Sequence, residues 1–503
     1  KEVIGQSALQ IIPNLVRELF DRIHWYKTMR WESFEKRFVR PVRWLCVKLG
    51  EITVPMQYAH VENSGNVYGH RFLANEAIPV QAEAGSYLET MRRHFVIADQ
   101  RERARFIRER IEALCAERGL EWVVDEELLH EVCYLTEYPV PVIREFDAKY
   151  LEIPEQVIIS EMKTHQRYFA CRRRDNGKLA NFFIAVANMQ CRDMDKVGEG
   201  FEKVLRSRFD DARFFVAEDR KLKLEERVAK LEEITYHARL GTIRAKVERI
   251  RALAAFIAER LGLSARERED ADTIARLCKA DLTTAMVFEF PELQGEIGSY
   301  YARLEGLPAV ISEGIRQHYL PQNSAEAVPD NQPAMVVALA DRIDSLVAIT
   351  AVEKLPSGSA DPFGLRRACL TAIAIILGRK FQIDLKDLLI RAKALLPADV
   401  SIEDGDRLVA EILEFTRTRL RRLLHDGNCR ALAGKTYPFD QIDAILEAGL
   451  PWTDLNTTLV RLDALAEFVA GHDAAGLAET FKRCENILNK SEQEPIPDQV
   501  NPD

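Results

Sequence analysis

The side chains best suited to chemistry are histidines and aspartates spread along one helix-rich stretch. In chain order they are His237, Asp281, His318, Asp341 and Asp344. Imidazole and carboxylate groups commonly bind divalent metals, and three or four of them can hold an ion that activates a water for hydrolysis. The residue before Asp281 is Ala280, however, so the set has no His-Asp doublet at its centre.

The order of these residues resembles that of HD-type phosphohydrolases, in which a His, a His-Asp doublet and a distant Asp bind the metal. His237, Asp281 and Asp341 follow this order, but Ala280 stands where the doublet requires His. Losing one imidazole leaves too few neutral nitrogen ligands for a tight transition-metal site. We therefore predict a degenerate HD-like site without metal, in a domain that is structural or binds RNA. A working metal-dependent phosphohydrolase is the alternative.

A second feature is a run of basic residues on one predicted helix, in the segment GEGFEKVLRSRFDDARFF (198–215). Apolar residues at 204, 205, 209, 212 and 215 recur at three- and four-residue spacing, which predicts one buried stripe. Lys203, Arg206 and Arg208 lie mostly off that stripe. A basic face on a firmly packed helix suits a polyanion such as RNA. An ordinary solvated face would give the same pattern.

A third candidate surrounds a predicted strand. His165 and Arg167 precede this strand in the segment HQRYFA, and Arg172 and Arg173 follow it. These basic side chains can contact phosphates, and the aromatic rings beside them can stack on bases. The equal alternative is a hairpin with a solvated basic turn, since DNGK (175–178) is a strong hairpin signal.

Arginines also recur on a predicted helix later in the chain. Arg417 and Arg421 are four residues apart and share one helix face, and Arg422 flanks them. Guanidinium groups pair with phosphates or stack on unpaired bases, so this face suits single-stranded RNA. A purely solvated face is the alternative.

Composition limits the classes of protein that the sequence can encode. The 503 residues carry a net charge of −9, with 47% hydrophobic and 30% charged residues, as in a multidomain globular protein. An acidic chain with local basic patches favours a restricted RNA contact and predicts neither a DNA nor a membrane partner. The nine cysteines show no C-x-x-C spacing, which argues against a zinc ribbon or a disulfide framework and predicts a reducing cytoplasm.

The predicted elements change character along the chain. In residues 1–200, runs such as VPVIRE, VIIS and NFFIAVAN predict strands and residues 82–117 predict a helix, so the region is α+β. Nearly all segments of 201–377 and 378–490 predict helices, whereas polar, proline-rich 491–503 predicts a disordered tail. No glycine-rich loop follows a strand, so no nucleotide-binding loop is expected.

Motifs along nearly the whole chain resemble the β subunit of bacterial heterotetrameric glycyl-tRNA synthetase. They are FVRPVRWLCVKLG (38–50), YGHRFL (68–73), LTEYPVPV (135–142), MKTHQRYFAC (162–171), GEGFEKVLRSRFDDARFF (198–215), KADLTTAMVFEFPELQG (279–295), HYLP (318–321), ALADRID (338–344) and DPFGLRR (361–367). Their number and order make the resemblance specific. Phe201 departs from the family pattern, which has Asn there, so an RNA contact by that Asn would be absent here.

The resemblance implies a multidomain fold: an α+β, B3/B4-like tRNA-binding region (1–200), an all-α HD-like domain (201–377) and a truncated all-α, DALR-like anticodon-binding domain (378–490). It implies a cytoplasmic, tRNA-binding subunit of glycine–tRNA ligase that positions tRNA(Gly) for aminoacylation. Its partners would be tRNA(Gly) and the α subunit, which would bind ATP and Mg²⁺, while this chain would hold no cofactor and no catalytic residue. A stand-alone RNA-binding or trans-editing factor is a further alternative.

Overall fold

The computed structural model describes residues 5–358, 360–398, 400, 404–471 and 474–491. The chain divides into two compact units, Lys1–Phe214 and Phe215–Asp503. The first unit is α+β and the second is mostly helical, which confirms the coarse fold class. The predicted tail after Ser491 lies outside the described residues. No helix of the described residues is long and apolar enough to cross a membrane.

The helices of the first unit are α1 (Ala8–Arg22), α2 (Ala84–Arg93), α3 (Gln100–Ala116), α4 (Glu126–Leu135), α5 (Glu155–Ser160) and most of α6 (Met194–Asp219). Its strands are β1 (Lys48–Leu49), β2 (Ile52–Thr53), β3 (Gln57–Tyr58), β4 (Val61–Glu62), β5 (Asn66–Tyr68), β6 (Ala77–Pro79), β7 (Leu120–Trp122), β8 (Val140–Glu145), β9 (Phe169–Arg173) and β10 (Leu179–Ala187). The first six strands form three separate two-stranded hairpins.

A four-stranded antiparallel sheet lies at the centre of the first unit, in the order β7-β9-β10-β8. The register pairs Ile184 of β10 with Ile143 of β8 and with Phe169 of β9. Because alternate residues of a strand point to the same face, these side chains form one buried surface. That surface packs against the apolar faces of α3 and α4, where Ile107 and Leu128 are buried.

Two local predictions for this unit are wrong. The segment VIIS lies in α5 rather than in a strand, because Pro154 precedes the helix at its N-cap and Val157 and Ile158 are buried as helical residues. The single helix predicted over 82–117 is broken between α2 and α3. Phe95 takes a left-handed backbone conformation there, with φ of 61°, which ends the first helix.

The second unit contains α7 (Leu224–Lys230), α8 (Ile243–Arg260), α9 (Ala265–Leu277), α10 (Ala285–Glu289), α11 (Glu296–Leu304), α12 (Ala309–Gln317), α13 (Gln332–Val352), α14 (Leu365–Gly378), α15 (Leu385–Lys393), α16 (Gly405–Asp426), α17 (Phe439–Glu447), α18 (Leu455–Gly471) and α19 (Ala474–Ser491). A short hairpin of β11 (Thr235–His237) and β12 (Gly241–Thr242) precedes α8. The finer division of the chain into 1–200, 201–377 and 378–490 stays a prediction.

Helix α13 forms the core of the second unit. It is apolar on all sides from Pro333 to Ala340 and packs against α8, α9, α12, α14, α15 and α16. A helix that is hydrophobic all round must be enclosed by other helices. Asp341 and Asp344 interrupt this apolar surface, so their carboxylates need partners inside the protein.

Candidate nucleic-acid interface and a buried polar centre

The buried polar centre of the second unit is built on Asp341 and Asp344 of α13. Each oxygen of Asp341 contacts a different lysine: Lys246 Nζ lies 2.7 Å from Oδ1, and Lys279 Nζ lies 2.8 Å from Oδ2. Lys246 also donates to Asp344 Oδ2 at 3.0 Å, and Arg249 Nε donates to Asp344 Oδ1 at 2.6 Å. Lys246, Lys279 and Arg249 are all buried, so each positive charge is offset where it lies.

Burial and ion pairing compete at this centre, and ion pairing prevails. Burial opposes the charge of Asp341, but Lys246 and Lys279 lower its pKa well below the usual range. Burial also opposes the charge of Lys246, yet the carboxylates of Asp341 and Asp344 raise its pKa. Burial and the adjacent Lys279 lower the pKa of His318 well below 6.5. His318 is therefore neutral, and its Nε2 accepts a hydrogen bond from Lys279 Nζ at 2.9 Å.

Asp281, the second predicted ligand, binds backbone rather than another side chain. Its Oδ2 accepts hydrogen bonds from the N–H groups of Gly295 (2.6 Å) and Gly298 (3.0 Å) at the start of α11. Its Oδ1 is buried without a hydrogen-bond partner among the described residues. Burial raises the pKa of Asp281 to about 6, although both backbone hydrogen bonds lower it. The carboxylate thus fixes the turn between α10 and α11.

His237, the first predicted ligand, lies on the hairpin strand β11. Its Nε2 is 3.3 Å from Glu353 Oε1, and its ring edge faces Phe363. The structure therefore gives His237, Asp281 and Asp341 separate partners. The described residues contain no group of three or more His, Cys, Asp or Glu that could hold a metal. The centre does not fit a divalent ion, because ammonium groups already contact both oxygens of Asp341.

The outer face of α6 carries two of the predicted basic residues. Leu205, Phe209 and Ala212 are fully buried and hold the helix against the first unit, as the spacing predicts. Lys203 and Arg206 are exposed. Neither makes an ion pair or a side-chain hydrogen bond within the described part of the chain. Their charges are therefore available to an anionic ligand.

Arg208 lies on another side of α6. Its Nε is 3.8 Å from Oε1 of Glu161, a buried carboxylate whose Oε2 lies 4.0 Å from His165 Nε2. The structure thus brings Arg208 and His165 together around one negative charge. Val204, predicted to lie in the buried stripe, is 45% exposed. The reason is geometric, since it lies about 100° around the helix from Leu205.

Arg167 and Arg172 form ion pairs within the first unit. Arg167 ends a π-helical turn in a left-handed conformation, and its Nε donates to Glu131 Oε1 at 2.5 Å. Arg172 pairs with Glu155. Arg173, at the end of β9, is exposed and forms no ion pair within the described residues. Of these three arginines, only Arg173 presents its charge to solvent without a nearby carboxylate.

The three predicted arginines of α16 line a groove of about 620 Å³ that α17 closes on its other side. Arg421 makes a bidentate pair with Asp443, with Nε–Oδ1 at 2.5 Å and Nη2–Oδ2 at 2.6 Å. Arg417 Nη2 lies 3.1 Å from Glu447 Oε1. The α17 carboxylates therefore offset two of the three positive charges.

Arg422 and two rings complete this groove. The Arg422 side chain is 83% exposed, and its Nε lies 3.3 Å from Asp426 Oδ2. Phe439 stacks on His425, with ring centroids 3.7 Å apart, and the Arg421 guanidinium lies 4.2 Å from the Phe439 centroid. The groove thus combines stacking surfaces with nearly balanced charge.

Sequence reasoning missed Lys246 and Lys279, the residues that define the polar centre. Lys246 lies in IRAKVERIR of α8, a segment rich in charged residues, whereas Lys279 follows α9 between Cys278 and Ala280. Lysine is almost never fully buried unless it is paired, so the apolar neighbours of Lys279 were a signal for an internal ion pair, whereas the charged neighbours of Lys246 gave no such signal.

Comparisons with known proteins define the class of this chain. The family model described as glycyl-tRNA synthetase beta subunit matches residues 1–436. A glycine–tRNA ligase beta subunit from Trichlorobacter lovleyi is 37% identical over 496 residues, which are 99% of this chain and 70% of that relative. The one from Myxococcus xanthus is 38% identical over 502 residues, covering 99% and 69% of the two chains. That from Geobacter sulfurreducens is 39% identical over 490 residues, covering 96% and 69%.

These proteins are subunits of an aminoacyl-tRNA synthetase, a ligase of protein biosynthesis. The chain belongs to the glycyl-tRNA synthetase beta subunit family, as its motifs predict. The match runs over nearly the whole chain, so both the α6 surface and the buried polar centre fall within it.

Proposed function

We propose that the chain is the tRNA-binding subunit of a glycine–tRNA ligase and positions tRNA(Gly) for aminoacylation on a separate α subunit. The observation that carries the proposal is the outer face of α6. Lys203 and Arg206 are exposed there and make no ion pair or side-chain hydrogen bond among the described residues, on a helix whose opposite face is packed. Basic side chains held in place on a rigid helix can bind phosphates at fixed positions.

The chemical step belongs, in this proposal, to the α subunit, which binds ATP and Mg²⁺. The present chain contributes orientation, because holding the tRNA acceptor end in the right geometry removes much of the entropic barrier to reaction. The geometry at Asp341 supports a non-catalytic role, since both carboxylate oxygens are bound by lysines. No observation on the described residues favours a phosphohydrolase or a stand-alone RNA-binding factor.

The finer domain roles belong to the same proposal. Residues 1–200 act as the B3/B4-like tRNA-binding region, 201–377 as a metal-free HD-like domain, and 378–490 as the anticodon-binding domain. The groove with Arg417, Arg421 and Arg422 supports the last assignment, because it offers a stacked ring and an exposed guanidinium. Unpaired bases of an RNA loop are recognised by such stacking surfaces.

The test measures binding of tRNA(Gly) to the chain together with its α subunit at several salt concentrations. The double variant Lys203→Ala/Arg206→Ala should weaken binding and lower the slope of log affinity against log salt by about two. The control, Arg101→Ala/Arg105→Ala, removes the same charge from exposed positions of α3 in the same unit. Equal slopes for wild type and the α6 double variant would contradict the proposal.

A further inference from the structure

Residues 24–43, which we call the basic loop, connect α1 to the first hairpin of the first unit. They include six Lys or Arg and only two Glu, although the whole chain carries a net charge of −9. The six are Lys27, Arg30, Lys36, Arg37, Arg40 and Arg43. A local excess of positive charge in an acidic chain favours an anionic partner at that place.

Aromatic packing gives the basic loop a defined conformation. Met29 and Phe38 exchange two backbone hydrogen bonds, of 2.9 and 3.2 Å, as an isolated antiparallel pair. The Phe38 ring packs edge to face against Trp25 with centroids 5.1 Å apart, and Phe34 stacks on His60 at 4.5 Å. The fold therefore sets the path of the backbone that carries the basic side chains.

The backbone pair brings like charges together. Arg30 and Arg37 lie next to it, and its antiparallel register places them across from each other. Lys27 and Arg40 lie two residues from the pair, at its other end. All four side chains are exposed. Because like charges at opposite positions of paired strands are unfavourable, a bound anion would relieve this repulsion.

Five of the six cations have no carboxylate partner in the described part of the chain. These are Lys27, Arg30, Arg37, Arg40 and Arg43. Arg37 Nε donates to Thr28 Oγ1 at 3.1 Å, and Arg40 Nη1 donates to the carbonyl of Val39 at 3.1 Å, so neither guanidinium is neutralised by its contact. The sixth cation, Lys36, is offset by Asp21 at 2.7 Å.

The carboxylates around the basic loop do not change this balance. Glu32 and Glu35 of the loop are exposed and form no ion pair with it among the described residues. Glu62 of the adjacent strand β4 is likewise exposed and makes no such pair. On α1, Glu18 is already paired with Arg22 at 3.2 Å. Positive charge therefore remains in excess on this surface.

Tyr26 adds a stacking surface beside these charges. Its ring is 95% exposed and directly precedes Lys27. Single-stranded RNA matches this combination, because its unpaired bases stack on aromatic rings while its phosphates contact cations. Cores of protein interfaces differ, since they are apolar and contain few charged residues. Membership in a family of tRNA ligase subunits also favours RNA as the polyanion.

We propose that the basic loop is a further RNA-binding surface of this chain, in addition to the outer face of α6, and that it binds tRNA(Gly) at an unpaired nucleotide. Tyr26 stacks on the base of that nucleotide. Lys27, Arg30 and Arg40 contact the neighbouring phosphates. This inference rests on the proposed function, because it takes tRNA(Gly) as the RNA that binds.

The first test measures binding of tRNA(Gly) to the chain together with its α subunit at several salt concentrations. Lys27→Gln/Arg30→Gln/Arg40→Gln should weaken binding about tenfold or more at low salt and lower the slope of log affinity against log salt by about two to three. Its thermal midpoint should equal or exceed that of wild type, because mutually repelling charges are removed. An unchanged affinity and slope would overturn the inference.

The matched control removes the same charge from α3 in the same unit. Arg101, Arg105 and Arg110 are exposed there and form no ion pair among the described residues, but exposed Glu109 and Glu112 lie on the same helix. Replacing these three arginines with Gln should leave the salt slope unchanged. If this control lowers the slope as much as the loop variant does, net charge explains both results and the inference is overturned.

A second pair of variants tests the ring. Tyr26→Ala should weaken tRNA(Gly) binding about tenfold, since loss of one stacked base commonly costs about that much. The salt slope should stay the same, because no charge is removed. Tyr26→Phe keeps the stacking surface and should bind like wild type. If Tyr26→Ala binds as tightly as wild type, no base stacks at this position and an unpaired nucleotide does not bind here.

Other outcomes separate the alternatives. If wild type fails to bind tRNA(Gly), the proposed function fails together with this inference. If wild type binds and only the α6 double variant lowers the salt slope, this inference alone fails. If the loop triple variant weakens binding of the α subunit, or of vesicles containing phosphatidylserine, and leaves tRNA(Gly) binding unchanged, the surface contacts protein or membrane and the inference is overturned.

Discussion

The buried polar centre of the second unit and the outer face of α6 contain the same kinds of charged residue but use them differently. At the centre, Lys246 and Lys279 each contact a carboxylate within 3.0 Å and are buried. On α6, Lys203 and Arg206 are exposed and have no such contact among the described residues. Charges of the first kind are satisfied within the fold, whereas those of the second kind are available to a ligand.

The comparison shows why a pattern of charged residues does not by itself define a site. His237, Asp281 and Asp341 occur in the order of a metal site, yet two ammonium groups contact Asp341 where an ion would need its oxygens. A lysine neutralises a carboxylate but, unlike a metal ion, cannot bind and activate a water molecule. Because Lys246 and Lys279 take the place of a metal ion at Asp341, this centre lacks the Lewis acid that metal-dependent hydrolysis would need.

The largest effect should come from removing one charge at the buried centre. Lys279→Met leaves Asp341 Oδ2 without its ammonium partner in a buried position, so we expect the free energy of unfolding to fall by about 3–5 kcal/mol. Chemical denaturation of the purified chain measures this. The control, Lys203→Met, changes an exposed lysine and should stay within about 0.5 kcal/mol of wild type. Equal stabilities for the two variants would mean that the centre is not an internal ion-pair network.

The second effect is a pH dependence at Asp281. Its folded-state pKa is raised to about 6, above the ordinary 3.8, so the unfolded chain loses this proton first as pH rises. Stability contributed by the protonated group is therefore present below about pH 4 and lost by about pH 6, a change of about 3 kcal/mol. Asn does not titrate. We expect the stability of wild type relative to Asp281→Asn to fall by up to that amount between pH 4 and 7. Chemical denaturation at each pH measures this difference. If the free energies of unfolding of wild type and Asp281→Asn change in parallel with pH, the pKa of Asp281 is not raised in the folded state.

Arg206 and Arg208 of α6 should affect different properties: Arg206 the binding of tRNA(Gly), and Arg208 the stability of the chain. Arg206→Ala should lower the salt slope of tRNA(Gly) binding by about one and leave the stability within about 0.5 kcal/mol of wild type. Arg208→Ala should leave the salt slope unchanged and destabilise the chain by about 1 kcal/mol, because buried Glu161 loses a counter-charge while Arg208 is partly exposed. Denaturation and binding measured on both variants check the pair. If the two variants change the salt slope and the stability by the same amounts, Arg206 and Arg208 do not have different roles.

The sequence alone predicted those features that depend on local spacing. The three- and four-residue repeat placed Leu205, Phe209 and Ala212 in the core, as the structure confirms. The degenerate HD-like site that Ala280 indicates stays a prediction. Local spacing could not show which arginines were already paired. Arg167 pairs with Glu131 and Arg172 with Glu155, at separations of 36 and 17 residues, and only the folded chain brings these partners together.

The buried lysines were missed for the same reason. Lys246 and Asp341 come from α8 and α13, which pack side by side although they are far apart in the sequence. Phe288 illustrates the opposite case, since it is a large apolar residue whose ring is 86% exposed. Its exposure depends on which neighbours the tertiary fold provides, and local spacing does not show this.

The smallest effect is expected in the groove of α16, where the charges are nearly balanced. The sequence predicts that replacing Arg417, Arg421 and Arg422 with Ala lowers the salt slope of tRNA binding by up to three. The structure lowers this expectation to about one, because Glu447 and Asp443 already offset Arg417 and Arg421, while Arg422 is 83% exposed. The single variant Arg422→Ala should therefore reproduce most of the triple variant's effect.

Binding of tRNA(Gly) at several salt concentrations, with the α subunit present, distinguishes three results for this groove. A loss of about one in both variants means that Arg422 alone meets a phosphate. A loss of about three in the triple variant means that RNA displaces Asp443 and Glu447 from their arginines, so the groove opens on binding. An unchanged slope means that the groove does not bind RNA. Glycine activation by the α subunit should be the same in all variants, because the proposed function assigns formation of the adenylate to that subunit.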